Sequence, residues 1–274
     1  MNAQDNNRST ALHLALEERH IDVARLLLEH GVDVNTQDSN SRTPFHIALS
    51  GGEVEIFQIL LQHKTGQNTL DNGLTPLHLA SQEGHINITR LLLEHDVDVN
   101  TQDGNGQTPL HLASQEGHID IAQLLLKHGT NLNAQDNNRS IALHLALEER
   151  HIDVARLLLE HGVDVNTHDG DSQSPLHLAS QQGHIDIVRL LLEHSANVNA
   201  LKNNHSSALH LVSHIVFGDN KHKVTCLLLE HGAGVVVEDD NGRTTLQAAS
   251  GQLVHNEITK LLSDWEYQIL RIEV

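Results

Sequence analysis

HLALEERHIDVARLLLEHGVDVNT occupies residues 13–36, and the same letters return at residues 144–167. The match runs further: residues 2–36 and 133–167 differ only at Thr10 against Ile141. Convergence does not produce so many identical letters, so the chain carries a copied block. The offset of 131 is either a period or a multiple of one.

A second motif fixes the period. Thr-Pro-Leu-His stands at Thr75–His78 and Thr108–His111, with variants at Thr43–His46 (TPFH) and Ser174–His177 (SPLH). Looser versions are Thr10–His13, Ile141–His144, Ser207–His210 and Thr244–Gln247. The starts at 10, 43, 75, 108, 141, 174, 207 and 244 are separated by 33, 32, 33, 33, 33, 33 and 37 residues. The copied block is therefore four periods away from itself, within an array of eight units.

Each unit reads as two helices and a turn. A Thr or Ser hydroxyl can cap a free backbone N–H, and proline at the first helical position lacks a donor that would be orphaned there. All four prolines (Pro44, Pro76, Pro109, Pro175) sit at this point. Gly84, Gly117 and Gly183 end the first helix, where a left-handed residue is needed. The second helix carries triple leucines, such as Leu91–Leu93 and Leu157–Leu159, which span about 200° of its circumference. Such a helix must be packed on two sides. Val-Asp-Val-Asn and a polar tip follow, which predicts a short hairpin-like projection. Arg19 and Arg150 stand where other units have the inter-helix glycine, at a cost of about 1 kcal/mol each.

Composition agrees with thin layers rather than one large globule: aromatic residues are only 2% of the 274. Lys and Arg number 17 against 36 Asp and Glu, and a net charge of −19 repels nucleic acid and anionic lipid. One cysteine, Cys226, excludes an intramolecular disulfide and a cysteine zinc cluster. No apolar run reaches the roughly 20 residues of a membrane helix, and the first ten residues are too polar for a signal peptide. We read the chain as intracellular, monomeric and without membrane or nucleic-acid partners.

The stretch DGNGQTPLHLASQEGHIDIAQLLLKHGTNLNAQD at 103–136 resembles the ankyrin repeat almost throughout, and the resemblance extends over residues 2–262. It implies an all-α repeat solenoid of stacked helix-turn-helix units with β-hairpin-like fingers, whose fingers and first helices line a concave face. The expected organisation is a single domain over 1–274. Residues 1–9 form a partial finger of a preceding unit, as in a piece of a longer array, and 256–274 form a lengthened last helix that caps the stack.

Twenty-four histidines raise the question of metal or acid–base chemistry. Nineteen occupy three fixed places: the Thr-Pro-Leu-His position, the Gly-His turn and the end of helix two. Equivalent residues one layer apart are separated by roughly 10 Å, too far to share a zinc with bonds near about 2.1 Å. His78-type imidazoles are expected to bond neighbouring finger backbone and tie units together. His205, His210, His214 and His222 lie close enough in sequence for a chance cluster. No HExxH, GxxxxGK[ST], GxSxG or GxGxxG occurs, and DVNTQDGNG lacks the closing glutamate of a calcium loop. These residues predict no enzyme, no cofactor and no resident metal.

What varies between units points to function. By the resemblance, fingertips and first-helix ends carry partner contacts. The candidates at the fingers are Asn40, Arg42, Asp71, Leu74, Asn105, Gln107, Asp171 and Gln173. Those at the helix ends are Glu17, Glu18, Gln82, Glu83, Gln115, Glu116, Glu148, Glu149, Gln181 and Gln182. They are acidic and amide-rich, with only Arg42 and Arg243 as nearby finger cations, which suits a basic or polar segment of another protein. The expected function is non-enzymatic protein binding. The alternatives are a structural spacer, or a regulatory array beside a signalling or enzymatic domain. The asparagines Asn35, Asn68, Asn100, Asn133, Asn166 and Asn199 are expected to bond the hairpin. The resemblance adds that such asparagines are hydroxylated in animals by an oxygen-sensing dioxygenase.

Overall fold

A Thr or Ser followed three residues later by His organises the start of most first helices; Ile141 replaces the hydroxyl residue in one repeat and Gln247 the histidine in another. The structure is a computed structural model describing residues 2–62, 73–95, 97–213, 220–250, 259, 260, 262–265 and 267. Its contacts divide it into two compact units, Met1–Asn137 and Asn138–Val274.

In the first unit the helices are α1 (Ala11–Glu17), α2 (Ile21–Glu29), α3 (Pro44–Ser50), α4 (Val54–Gln62), α5 (Pro76–Gln82), α6 (Ile86–Glu94), α7 (Pro109–Gln115) and α8 (Ile119–Lys127). First helices pack in one row, α1 on α3 on α5 on α7, and second helices in another, α2 on α4 on α6 on α8. The second unit repeats the scheme with α9 (Ala142–Glu148), α10 (Ile152–Glu160), α11 (Pro175–Gln182), α12 (Ile185–Glu193), α13 (Ala208–Ser213), α14 (Asn220–Glu230) and α15 (Thr245–Ser250). Here α9, α11, α13 and α15 form one row and α10, α12 and α14 the other. Leu77, Leu110, Leu143, Leu176 and Leu209 at the third motif position are all buried. Phe45 and Phe57 fill the second repeat's centre, ring centroids 4.6 Å apart.

The caps differ in detail from the expectation. The N-cap hydroxyl lies 2.7 Å from the imidazole Nδ1 in the pairs Thr10–His13 and Thr75–His78, and 2.8 Å in Thr108–His111 and Ser174–His177. The same Nδ1 accepts the N-cap backbone N–H, at 3.2 Å from Thr10 and 3.1 Å from Thr75 and Thr108. Histidine thus takes the part that Glu or Gln plays in a capping box, reaching back to the N-cap N–H. Because Nδ1 accepts, the proton of the neutral ring sits on Nε2. That nitrogen donates to the next repeat: His13 to the Arg42 carbonyl (3.1 Å), His78 to Gln107 (2.9 Å), His144 to Gln173 (3.1 Å) and His210 to Arg243 (3.2 Å). The expected tie between units is present at these four histidines, where one neutral tautomer satisfies cap and tie together, whereas His177 keeps the cap and its buried Nε2 makes no such bond. Ile141 has no side-chain oxygen, so its cap is reduced to the bond from its own N–H to His144 Nδ1 at 3.3 Å.

The inter-helix glycines take the left-handed conformation, with φ of 79° at Gly84, 77° at Gly117 and 76° at Gly183. Arg19 and Arg150 are forced into it too, at 57° and 65°. Glycine serves a second purpose that the sequence did not disclose. The next repeat's Gly-His imidazole lies against it: a Cβ at Gly84 would stand 2.7 Å from His118 Cε1, and one at Gly52 would stand 2.9 Å from His85 Cε1. Each ring then bonds a carbonyl at the end of the preceding first helix, His118 Nε2 to Gln82 at 3.0 Å and His85 Nε2 to Ser50 at 3.3 Å. Where Arg19 replaces glycine, the facing residue is Glu53 instead of histidine. Arg19 binds it at 2.9 Å and donates to the Gly51 carbonyl at 2.6 Å.

The fingers contain no continuous strand among the described residues. Isolated antiparallel bridges, Gln4 to Thr10, Leu201 to Ser207 and Glu238 to Thr244, are all that remains of the expected hairpin. Most of the expected capping helix over 256–274 lies outside the described residues. Thr259, Lys260, Leu262–Trp265 and Tyr267 are helical, with Leu262 buried.

Candidate partner-binding surface

An aspartate, buried at Asp38, Asp169 and Asp239 and half-buried at Asp103, shapes most of the described fingertips. Asp103 Oδ1 accepts the N–H groups of Asn105 (2.9 Å) and Gln107 (2.8 Å). Asp169 does the same for Asp171 (2.9 Å) and Gln173 (2.7 Å), and Asp38 for Asn40 (2.8 Å) and Arg42 (2.9 Å). Asp239 follows with Asn241 and Arg243. This double acceptance is an Asx turn, and it places the next residue but two in the left-handed region, φ 61° at Ser41 and 75° at Gly106. Burial works against ionisation of Asp38, but its bonds from Arg42 and Asn40 outweigh that and hold its pKa below the usual carboxylate range. In the last finger Arg243 takes the place of Arg42, and its hydrogen bonds hold Asp239 low in the same way. The sequence reading missed these aspartates. Their signal was an Asp at constant register, five residues before the Thr or Ser of the motif.

The fingers are also linked to one another. Ser39 N–H donates to the Asn7 carbonyl (2.8 Å), and Asn137 N–H to Asn105 (2.9 Å) within the first unit. Gly170 donates to Asn138 (2.6 Å), Asn203 to Asp171 (3.3 Å) and Asp240 to Asn204 (3.1 Å) within the second. The tip backbones are therefore partly consumed by the ladder. The side chains of Asn40, Asn105 and Asp171 remain exposed, while Leu74 and Gln173 are half-buried. Asp71 lies outside the described residues.

Finger base and first-helix end meet. Arg42 donates to Glu17 Oε1 and pairs with Asp38 at 2.7 Å, and Gln107 Nε2 donates to Gln115 Oε1 at 3.4 Å. The structure thus brings Arg42 to Glu17 and Gln107 to Gln115 on one surface. Glu18, Gln82, Glu83, Glu116, Glu148, Glu149 and Gln181 are exposed along the helix ends, and Gln182 reaches the Glu148 carbonyl at 3.4 Å. The acidic row carries more cations than Arg42 and Arg243 alone. Arg19 and Arg150 close two of the helix ends, and Arg8 and Arg139 stand exposed at fingertips with φ of 59° and 61°. Glu18, Glu83, Glu116 and Glu149 enter no ion pair among the described residues.

The asparagines after Val-Asp-Val do more than bond their own turn. Asn100 Oδ1 accepts the Asn131 N–H at 2.7 Å, and Asn166 Oδ1 that of Asn197 at 2.8 Å. Asn199 accepts from Gly234 (2.8 Å) and donates to the Gly232 carbonyl (3.1 Å), so the amide bridges consecutive repeats. Asn35 and Asn133 are exposed, and Asn68 lies outside the described residues.

The three described histidines of the chance cluster are engaged separately. His210 is a buried capping residue, His205 pairs with Asp240, and His222 Nε2 lies 3.6 Å from Cys226 Sγ. His214 lies outside the described residues. Among the described residues no three His, Cys, Asp or Glu side chains are grouped to hold a metal ion, and no helix is long and apolar enough to cross a membrane.

Family models described as ankyrin repeats match residues 31–103, 63–136, 97–169, 131–202 and 164–214 (three copies) and 1–48 (many copies). A search of the curated proteins returned no match. Among solved structures, the crystal structure of the human ASB11 ankyrin repeat domain is similar, with a TM-score of 0.67 and 24% identity, over 82% of this chain and 98% of that one. Most of the sequence is matched and the stacked helix pairs agree with it: the chain belongs to the ankyrin-repeat family.

Proposed function

We propose that this chain is a non-enzymatic binding module that recognises a basic or polar segment of another protein along its finger and first-helix surface, the concave face of the array. Ankyrin repeats are generally modules of protein interaction. The observation that supports the finer reading is the set of exposed glutamates that enter no ion pair among the described residues, Glu18, Glu83 and Glu116 in the first unit and Glu149 at the matching place in the second, beside amide-bearing helix ends and fingertips. Desolvated aromatic anchors are absent from that row, so charge and amide hydrogen bonds are left to select the partner. The reading includes a monomeric, intracellular protein of eight repeats, closed by a last helix over 256–274, with no nucleic-acid or membrane partner.

Charge complementarity acts mainly through association rate and salt dependence. The test uses a partner captured by the full chain. Reversing Glu83 and Glu116 to lysine should slow association about tenfold at low salt and much less at high salt. Stability should barely change, since exposed charges contribute little. Reversing Glu94 and Glu160, exposed at the ends of second helices, should have a much smaller effect. Equal effects of the two pairs would contradict the assignment. They would favour the structural-spacer reading, which the near identity of residues 2–36 and 133–167 supports: binding residues have not diversified between the copies.

A further inference from the structure

Within the first unit, consecutive second helices meet at a fixed register, where one charge pair is closed and another is open. Arg25, fifth residue of α2, binds Glu55, second residue of α4. Arg90 and Asp120 hold the same two places on α6 and α8. Both are exposed, yet neither enters an ion pair among the described residues. Aspartate is one methylene shorter than glutamate, and between this Arg and this Asp the surface opens into a groove of about 250 Å³. Half-buried Ile86 and Leu124 give it an apolar floor, and exposed Arg90, Asp120, Gln123 and Lys127 give it a polar rim. A smaller groove of about 150 Å³ shares Ile86 and carries the apolar strip on to Val54.

Lys127 departs from the rest of the array. The ninth residue of the other second helices is Glu29, Gln62, Glu94, Glu160 or Glu193. Among the described second helices, α8 alone has a basic residue in its last turn. Asp120 and Lys127 each sit at the helix end that favours their sign, so α8 keeps both charges without an ion partner. Asp120 is seven residues from Lys127, about 10 Å along the helix. The groove thus offers two cations against one distant carboxylate, on a chain whose net charge is −19. A basic segment would be repelled by Arg90 and Lys127, and a wholly apolar one would cover both charges without pairing them.

We propose that the groove between α6 and α8 binds an acidic, leucine-bearing segment of another protein, with a carboxylate held by Arg90 and Lys127 and an apolar side chain over Ile86 and Leu124. This surface is separate from the fingers and first-helix ends and selects the opposite charge, so a basic partner there leaves it unoccupied.

The probe is a labelled peptide, Leu-Glu-Glu-Leu-Leu, titrated against the full chain, with Leu-Lys-Lys-Leu-Leu as control. The acidic peptide should bind and slow amide exchange in α6 and α8, and the basic one should leave those helices unchanged. Lys127→Glu installs the residue that α6 and α10 carry at this place, so the fold is kept. Asp120→Glu should let Arg90 close the bridge as Arg25 does with Glu55. Each should weaken the acidic peptide roughly tenfold. Asp120→Ala removes the same carboxylate without capturing Arg90, and should bind at least as tightly as wild type. No binding at millimolar peptide, or affinity unchanged in both Lys127→Glu and Asp120→Glu, would overturn the proposal. Equal binding of a peptide with serine in place of leucine would overturn the part of the apolar floor. A concentration-dependent dimer of the unliganded chain that Lys127→Glu abolishes would overturn the choice of occupant in favour of a second copy.

Discussion

Replacing His177 by Gln should remove a defined part of the protein's sensitivity to acid. The chain itself makes this substitution: Gln247 takes the histidine place in the eighth repeat, and its Oε1 accepts the Thr244 N–H at 2.9 Å. His177 is fully buried, and burial pushes its pKa down from 6.5 to about 4. The nearby charges of His168 and Lys202 act in the same direction, against the backbone of Ser206 and Ala200. A proton on Nδ1 would also face the Ser174 N–H, which needs an acceptor at 3.1 Å. The unfolded chain takes up its proton near pH 6.5, while the folded chain resists until about 4. The contribution is therefore complete above pH 6.5 and is lost progressively as pH falls toward 4. Between pH 7 and pH 5 that loss is about 2 kcal/mol. In a chain of this length it corresponds to about 4–8 °C in Tm. Far-UV circular dichroism melts of wild type and His177→Gln at both pH values measure it, and the other histidines cancel in the difference. The variant should lose about that much less on acidification. Equal losses in the two proteins would refute the assignment of a neutral, Nδ1-accepting imidazole.

Two substitutions test the interlocks between and within repeats. Gly84→Ala and Gly129→Ala both place a Cβ on a left-handed backbone, but only the first meets an imidazole, so urea unfolding should show about 1 kcal/mol lost at Gly129 and more at Gly84. His118→Ala should reduce that excess; equal costs at the two glycines would contradict the contact. Asp103→Ala strands the Asn105 and Gln107 N–H groups and should cost about 1–3 kcal/mol, whereas Asp22→Ala should cost almost nothing.

The period, the helix starts and the family were legible because packing forces the same letters into every layer. Proline at the first helical position and glycine between helices mark backbone states that few residues accept. Other features were hidden because they depend on atoms two elements away. Glycine at position 84 reads as a turn residue, and only the stacked His118 ring shows why a Cβ is refused there. The Asp103 carboxylate was read as part of a polar tip, although its two acceptor bonds give the tip its shape. The hairpin-like finger was legible in outline but carries little strand: the alternating valines face inward, as Val163 and Val165 do, while pairing is reduced to isolated bridges among the described residues. On the candidate surface, residue type identified exposure correctly for Glu83, Glu116 and Glu149. It could not show that Arg42 neutralises Glu17.

Whether a partner lies along fingers and first-helix ends can be read from hydrogen–deuterium exchange of the full chain with and without a captured partner. Protection should appear in the tips around Asn40, Asn105 and Asp171 and in the ends of α5 and α7, with second helices α6 and α8 unchanged. Protection confined to the second helices, or none anywhere at saturating partner, would contradict it.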